Sequence, residues 1–167
     1  MTRTHPLRRA AITLLMALLS IAALVERADA ASSRYDWPLA GNPTVSREFD
    51  PPDKPWLPGH RGVDLAVSPG ATVLAAGDGV VAFAGEVAGK PVVSIDHPDG
   101  IRTTYEPVVA SVSAGAPVTR EQPIGVLQAA HPECAAAACL HWGARRGERY
   151  LDPLSLLRPR RVRLLPL

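Results

Sequence analysis

The chain lacks the features that mark several large classes of protein. Its formal net charge is only +2, from 18 Lys and Arg against 16 Asp and Glu in 167 residues. That excess is too small to argue for a nucleic-acid binder. Beyond residue 30 no helical apolar period persists over twelve residues, which speaks against a long-helix or coiled-coil protein. There are two cysteines and no internal repeat. Aromatics make up 5%, but the apolar content of 47% and charged content of 20% are ordinary, so wholesale disorder is not expected. What the chain has in quantity is 17 Pro and 13 Gly, the residues of turns and element ends. Its length suits one domain with a real core.

Residues 1–30 carry the pattern of a cleaved export signal. Arg3, Arg8 and Arg9 precede an apolar run from Ala10 to Val25, and Ala28-Asp29-Ala30 supplies a small-residue cleavage site. The run is short for a membrane span, so no stable span is expected after cleavage. No Cys follows it, so lipoprotein anchoring is not expected. The expected location is secreted or in the cell envelope. Without residues 1–30 the chain has 14 basic and 14 acidic residues, and seven of those bases lie between Arg145 and Arg163. Residues 158–167 thus form a basic tail on a neutral body. It is either a solubilising end or a point of loose attraction to an anionic envelope polymer or lipid surface.

Residues 31–56 are Pro-rich and irregular, with one strand expected at Thr44 to Phe49. From residue 57 to 157 short strands alternate with Gly turns. They are expected at Gly62–Ala66, Thr72–Ala76, Val80–Ala84, Val92–Asp96, Ile101–Tyr105, Ile124–Leu127 and Leu140–Arg145. Asp99-Gly100 is a hairpin signal, and Pro153–Leu157 suits one helical turn. The expected fold is all-β, mainly antiparallel.

Two clusters carry chemistry. In Gly59-His60-Arg61-Gly62-Val63-Asp64, His60 and Asp64 fall on one face of a strand, because the side-chain period is two. In Cys139-Leu140-His141-Trp142-Gly143, Cys139 and His141 share a face for the same reason. His, Asp and a second His make a three-ligand set of the kind that holds a catalytic Zn²⁺ with one position open. By spacing alone, the pattern H-x-x-x-D is equally compatible with an ion-paired histidine.

The ordered motifs resemble the lysostaphin/LytM-type zinc peptidases. The likeness rests on Gly59 to Leu65, Val73 to Val81 and Val93 to Tyr105. It continues through Gly115, Val118, Ile124-Gly125 and Leu140-His141-Trp142. The resemblance implies an antiparallel β-sheet with a groove over a metal. It also implies zinc held by His60, Asp64 and His141, and cleavage of peptidoglycan peptides in bacterial cell walls. The chain departs from the family at the two histidines that assist catalysis. Cys139 stands where H-x-H has its first His, and Pro107 stands where Y-x-H-L has its His. Glu106 and His131 are the candidate replacements. Against Glu106, a regular strand would turn it to the opposite face from position 107. His97 matches a non-catalytic family position and is expected to be structural. A catalytically impaired relative, binding wall peptides or regulating another hydrolase, is the alternative function.

Cys134 and Cys139 are separated by four alanines. In an exported protein that spacing favours a disulfide directly before His141. The alternative is a free Cys139 thiolate near the metal. A third candidate class, a lipoyl- or biotinyl-carrier-like β-domain, would need Lys90, the only lysine between Gly77 and Leu127. Export away from cytosolic ligases argues against it.

Overall fold

The structure is a computed structural model and describes residues 33–54, 56–128, 134 and 136–157. The expected export signal, His131 and the basic tail at 158–167 lie outside the described residues. Residues 33–158 form one compact unit.

Among the described residues this unit has eleven strands and one 3-10 helix. They are β1 Thr44–Arg47, β2 Gly62–Val67, β3 Thr72–Leu74, β4 Gly79–Val87, β5 Lys90–Asp96 and β6 Ile101–Glu106. There follow β7 Val108–Ala110, β8 Pro117–Val118, β9 Pro123–Leu127, β10 Ala138–Arg146 and β11 Arg149–Leu151. The helix spans Pro153–Leu157. The larger sheet runs β1-β2-β10-β6-β5-β4-β8, with β11 on β10, and a three-stranded sheet runs β3-β9-β7. Every strand pair is antiparallel. The fold is all-β, as the strand pattern and turn residues imply. Each strand expected from the sequence is present, and β7, β8 and β11 are additional.

Alternation with a period of two sorts the large sheet into a core face and a solvent face. On β10, Ala138, Leu140, Trp142 and Ala144 point into the core, and on β6 Ile101, Thr103 and Tyr105 do the same. Val63 and Leu65 of β2 and Val93 and Ile95 of β5 complete that layer. The other set carries the polar residues: Asp64, His141, Gly143, Arg145, Arg102, Thr104, Glu106 and Ser94. The Pro-rich start of the unit also joins the core. Tyr35 and Leu39 are buried there, and the Asp36 N–H donates to the Ala76 carbonyl at 2.7 Å.

Asp99-Gly100 turns the β5–β6 hairpin, where the Gly100 N–H donates to the His97 carbonyl at 3.0 Å. Gly100 has φ +80°, a conformation that glycine adopts without strain. His97 behind that turn is buried and structural. Its Nδ1–H donates to the Asp78 carbonyl at 2.8 Å. Its Nε2 lies 2.8 Å from Thr103 Oγ1, which in turn lies 2.9 Å from Tyr105 Oη. Burial holds the His97 imidazole below its ordinary pKa, against the carbonyl bond to Asp78. Burial likewise pushes the Tyr105 hydroxyl up to about 12.

Candidate metal centre

Two adjacent strands and the residue that leads into one of them bring the candidate ligands together. On β2 and β10, Asp64 and His141 are direct cross-strand partners, so their side chains share a face. His60 precedes β2 and is fixed by a bridge to Asp50, each residue's N–H donating to the other's carbonyl at 2.6 and 3.0 Å. The result is a tight triangle. His60 Nε2 lies 3.0 Å from Asp64 Oδ1 and 3.1 Å from His141 Nδ1, and His141 Nδ1 lies 2.9 Å from Asp64 Oδ1. His60 and Asp64 are 5% and 1% exposed. The His141 side chain, at 21%, is the open side.

The protons in this triangle are few. His60 Nδ1 donates to the Glu48 carbonyl at 2.6 Å. In the neutral ring this leaves Nε2 as a lone pair aimed at Asp64 and His141. Asp64 as a carboxylate only accepts. Burial alone would raise its pKa, but the hydrogen bond from His141 and the pull of the two imidazoles outweigh this and hold it low. Only His141 Nδ1 has a proton to offer, and one proton cannot satisfy three contacts. Asp64 Oδ2 is buried with no hydrogen-bond partner. Lone pairs converging at this range, beside an orphaned carboxylate oxygen, are what a cation relieves.

The donor set suits zinc, two imidazole nitrogens and a carboxylate oxygen. Atoms on a triangle of this size lie about 1.7 Å from its centre, closer than the donor distances of about 2.0–2.2 Å that zinc takes, so all three are near enough to share one ion. Three protein ligands leave one position open, the pattern of a catalytic rather than a structural site. The histidine orientation is built in from outside the triangle, by the Glu48 carbonyl on His60 and by Gly62 under His141. A Cβ at Gly62 would stand 2.8 Å from His141 Cε1 and Nε2, so a side chain there would push the ring away.

Cys134 and Cys139 form a disulfide. The thiolate alternative is therefore set aside, since Cys139 Sγ is committed to Cys134. Cys139 lies on the same side of β10 as His141, and Ser46 Oγ sits 3.2 Å from its sulfur while donating to the Asp64 carbonyl at 3.1 Å. Pro107 is buried directly after β6. Glu106 is not turned away from the centre. It is the direct partner of His141 across β6 and β10, and both residues line the groove. The alternation that sets Glu106 apart from position 107 is what puts it beside His141, because β6 ends there. Glu106 pairs with Lys90 at 2.9 Å, a partner that nothing in the sequence indicates.

The groove that His141 lines has a volume of about 530 Å³. Its floor is formed by His141, Gly143, Thr104, Ser94 and Glu106, with Phe83 and Tyr150 on the sides. A second pocket of about 420 Å³ adjoins it between His60, Lys90 and Arg47 and shares Glu106 and His141.

A family model described as peptidase family M23 matches residues 58–153, more than half of the chain. The chain belongs to peptidase family M23. The match begins before His60 and ends past His141, so it takes in the whole triangle. An uncharacterized protein of Mycobacterium tuberculosis is 56% identical over 144 residues, covering 84% of this chain and 58% of its own length. The chain thus spans little more than half of that relative. Two solved structures share the fold. Lysostaphin, an antimicrobial peptidase from Staphylococcus simulans, superposes with a TM-score of 0.62 at 22% identity, over 76% of this chain and 55% of its own. A zinc-containing peptidase from Vibrio cholerae gives 0.59 at 24% identity, over 78% and 40%. The matched span contains His60, Asp64, Pro107, Cys139 and His141.

Proposed function

We propose that the chain is an exported zinc metalloendopeptidase acting on the peptides of cell-wall peptidoglycan. The observation that carries this reading is the His60–Asp64–His141 triangle, with its unpaired Asp64 Oδ2, which reaches an open groove through His141. Membership of a peptidase family supports the reaction type. Lysostaphin, an antimicrobial peptidase, and the zinc-containing Vibrio peptidase support peptidase action and zinc dependence by analogy. Export rests on the sequence of residues 1–30.

His60, Asp64 and His141 would hold the zinc, and a bound zinc supplies polarisation of a scissile carbonyl and acidification of water. The chain's own groups do the rest. The groove across β10, β6 and β5 lays out an extended peptide. Glu106, beside His141, accepts a proton from the attacking water and returns it to the leaving amine. Lys90, at 2.9 Å from Glu106 Oε1, holds that carboxylate in place. His131 remains a second candidate base on sequence grounds.

A specific observation favours a second reading. Cys139 is bridged to Cys134 and Pro107 has neither an N–H nor an ionisable side chain, so neither can move a proton. A groove of this kind can bind wall peptides without cutting them. Digestion of purified wall by the zinc-loaded chain, with a chelated control, separates the two. Release of new amino termini that stops on chelation supports the peptidase, and binding without release supports the alternative.

A further inference from the structure

The groove carries a charge pattern that the proposed hydrolysis does not use. β10 and β6 set Arg145 directly opposite Arg102, and both line the groove. Like charges placed opposite one another destabilise an antiparallel pair. Arg102 has its own counter-ion. Asp96, its partner on β5, accepts from Nε at 2.6 Å and from a terminal nitrogen at 2.7 Å. That fork occupies both carboxylate oxygens. Among the described residues the Arg145 side chain makes no hydrogen bond and no close ion pair, and its charge acts on Asp96 only at a distance. Near the metal centre Glu106 is likewise taken, by Lys90. Arg102 and Lys90 are thus each matched by a carboxylate, Asp96 and Glu106, and Arg145 stands beside them in the lining of the groove.

The rest of the groove suits a peptide that brings the missing negative charge. Gly143, Thr104 and Ser94 keep the floor low and polar between His141 and Arg145. Phe83 and Val87 form an apolar shelf, 38% and 53% exposed. Resting on the reading of this groove as a peptide site, we propose that Arg145 is a specificity residue that binds a carboxylate of the substrate. The groove then selects acidic peptides. Arg145 lies four residues along β10 from His141, about 13 Å at the rise of an extended strand. The arginine side chain reaches back over part of that distance. The recognised carboxylate then stands roughly three residues from the scissile carbonyl, with the intervening aliphatic portion on Phe83 and Val87. A side-chain carboxylate and a peptide C-terminus offer the same chemistry to a guanidinium.

The test is equilibrium binding to the chain from residue 31 onward, with zinc chelated so that cleavage cannot intervene. The probes are soluble peptides released from purified peptidoglycan, the same peptides with all carboxylates amidated, and a synthetic version amidated only at the C-terminus. Amidation of all carboxylates is expected to weaken binding about tenfold or more. Arg145→Gln should weaken the free-carboxylate peptides by the same factor and leave the amidated ones unchanged, while Arg145→Lys retains part of the preference. The C-terminal amide tells which carboxylate is read. Equal binding of free and amidated peptides, or an amidation effect that survives in Arg145→Gln, overturns the inference. So does failure of both forms to bind. Wall digestion by the zinc-loaded chain from the same preparation then shows whether the peptidase reading stands without it.

Discussion

Gly62→Ala is a one-carbon test of how the metal centre is built. The added Cβ would stand 2.8 Å from both Cε1 and Nε2 of His141, and closer than van der Waals contact to the Trp142 carbonyl oxygen. A backbone carbonyl in the β2–β10 ladder has little room to give. Either the ladder opens or the His141 ring leaves its place opposite Asp64. Overpacking of this kind costs about 1–3 kcal/mol, which lowers the Tm of a domain this size by roughly 3–15 °C. Displacing His141 Nδ1 from its 2.9 Å contact with Asp64 Oδ1 reduces the donor set from three to two. Zinc affinity should then fall by at least roughly ten- to a hundredfold, the loss seen when ligand orientation alone is disturbed. Gly143→Ala is the control. Its Cβ would meet the Arg61 carbonyl at 3.5 Å, Thr104 Cβ at 3.7 Å and His141 Nε2 at 3.8 Å, all ordinary contacts, so zinc affinity should hold. Thermal melts of the chelated proteins and competitive zinc titration read the two effects separately. Native melting and native zinc affinity in Gly62→Ala, or equal damage from Gly143→Ala, would refute the reasoning.

Glu106→Gln should leave zinc content unchanged and lower wall-peptide cleavage by about 10²–10⁴-fold; a variant that cleaves at the native rate would remove Glu106 as the base. Replacing both Cys134 and Cys139 by Ser opens a loop closed over a sequence separation of 5. In the chain-entropy account this costs about 2 kcal/mol, or roughly 6–12 °C in Tm, and an unchanged melt would count against it. Tyr105→Phe strands the buried Ala76 N–H, which donates to the Tyr105 hydroxyl at 3.0 Å. A loss of about 1–3 kcal/mol in urea unfolding is expected. His97 is held neutral below its ordinary pKa of 6.5, chiefly by burial. As pH falls through that value the unfolded chain takes up the proton first, so His97's share of stability is present above it and lost below it. NMR should show the ring neutral and Nδ1-protonated where exposed histidines are already charged; a charged His97 there would contradict this.

The strand pattern was legible because Val, Ile and Leu alternate with polar residues, and Gly and Pro mark the turns. Thr72–Leu74, Ile101–Glu106 and Ala138–Arg146 all carry that signal. β7, β8 and β11 span three residues or fewer, too short to show a period. The burial of Tyr35 and Leu39 was hidden because irregular segments have no periodicity to read. At the metal centre, His60 and Asp64 were legible as a same-face pair, and His141 joined them through the family motif. The Glu48 carbonyl that orients His60 carries no sequence signal, because every residue has one. The direction of Glu106 depended on register. Position 107 was legible as a lost histidine, but only the pairing of His141 with Glu106 shows which side chain faces the groove. Lys90 was noticed as a hairpin lysine, and its reach to Glu106 comes from the β4–β5–β6 order.

The central claim is that His60, Asp64 and His141 together hold one zinc ion. Elemental analysis of the chain from residue 31 onward, equilibrated with limiting zinc and freed of excess, tests it most directly when paired with the His60→Ala, His141→Ala double variant. The account predicts one zinc per native chain and almost none in the double variant, with the fold retained by circular dichroism. Stoichiometric zinc in the folded double variant, or a folded native chain that takes up none, would contradict it.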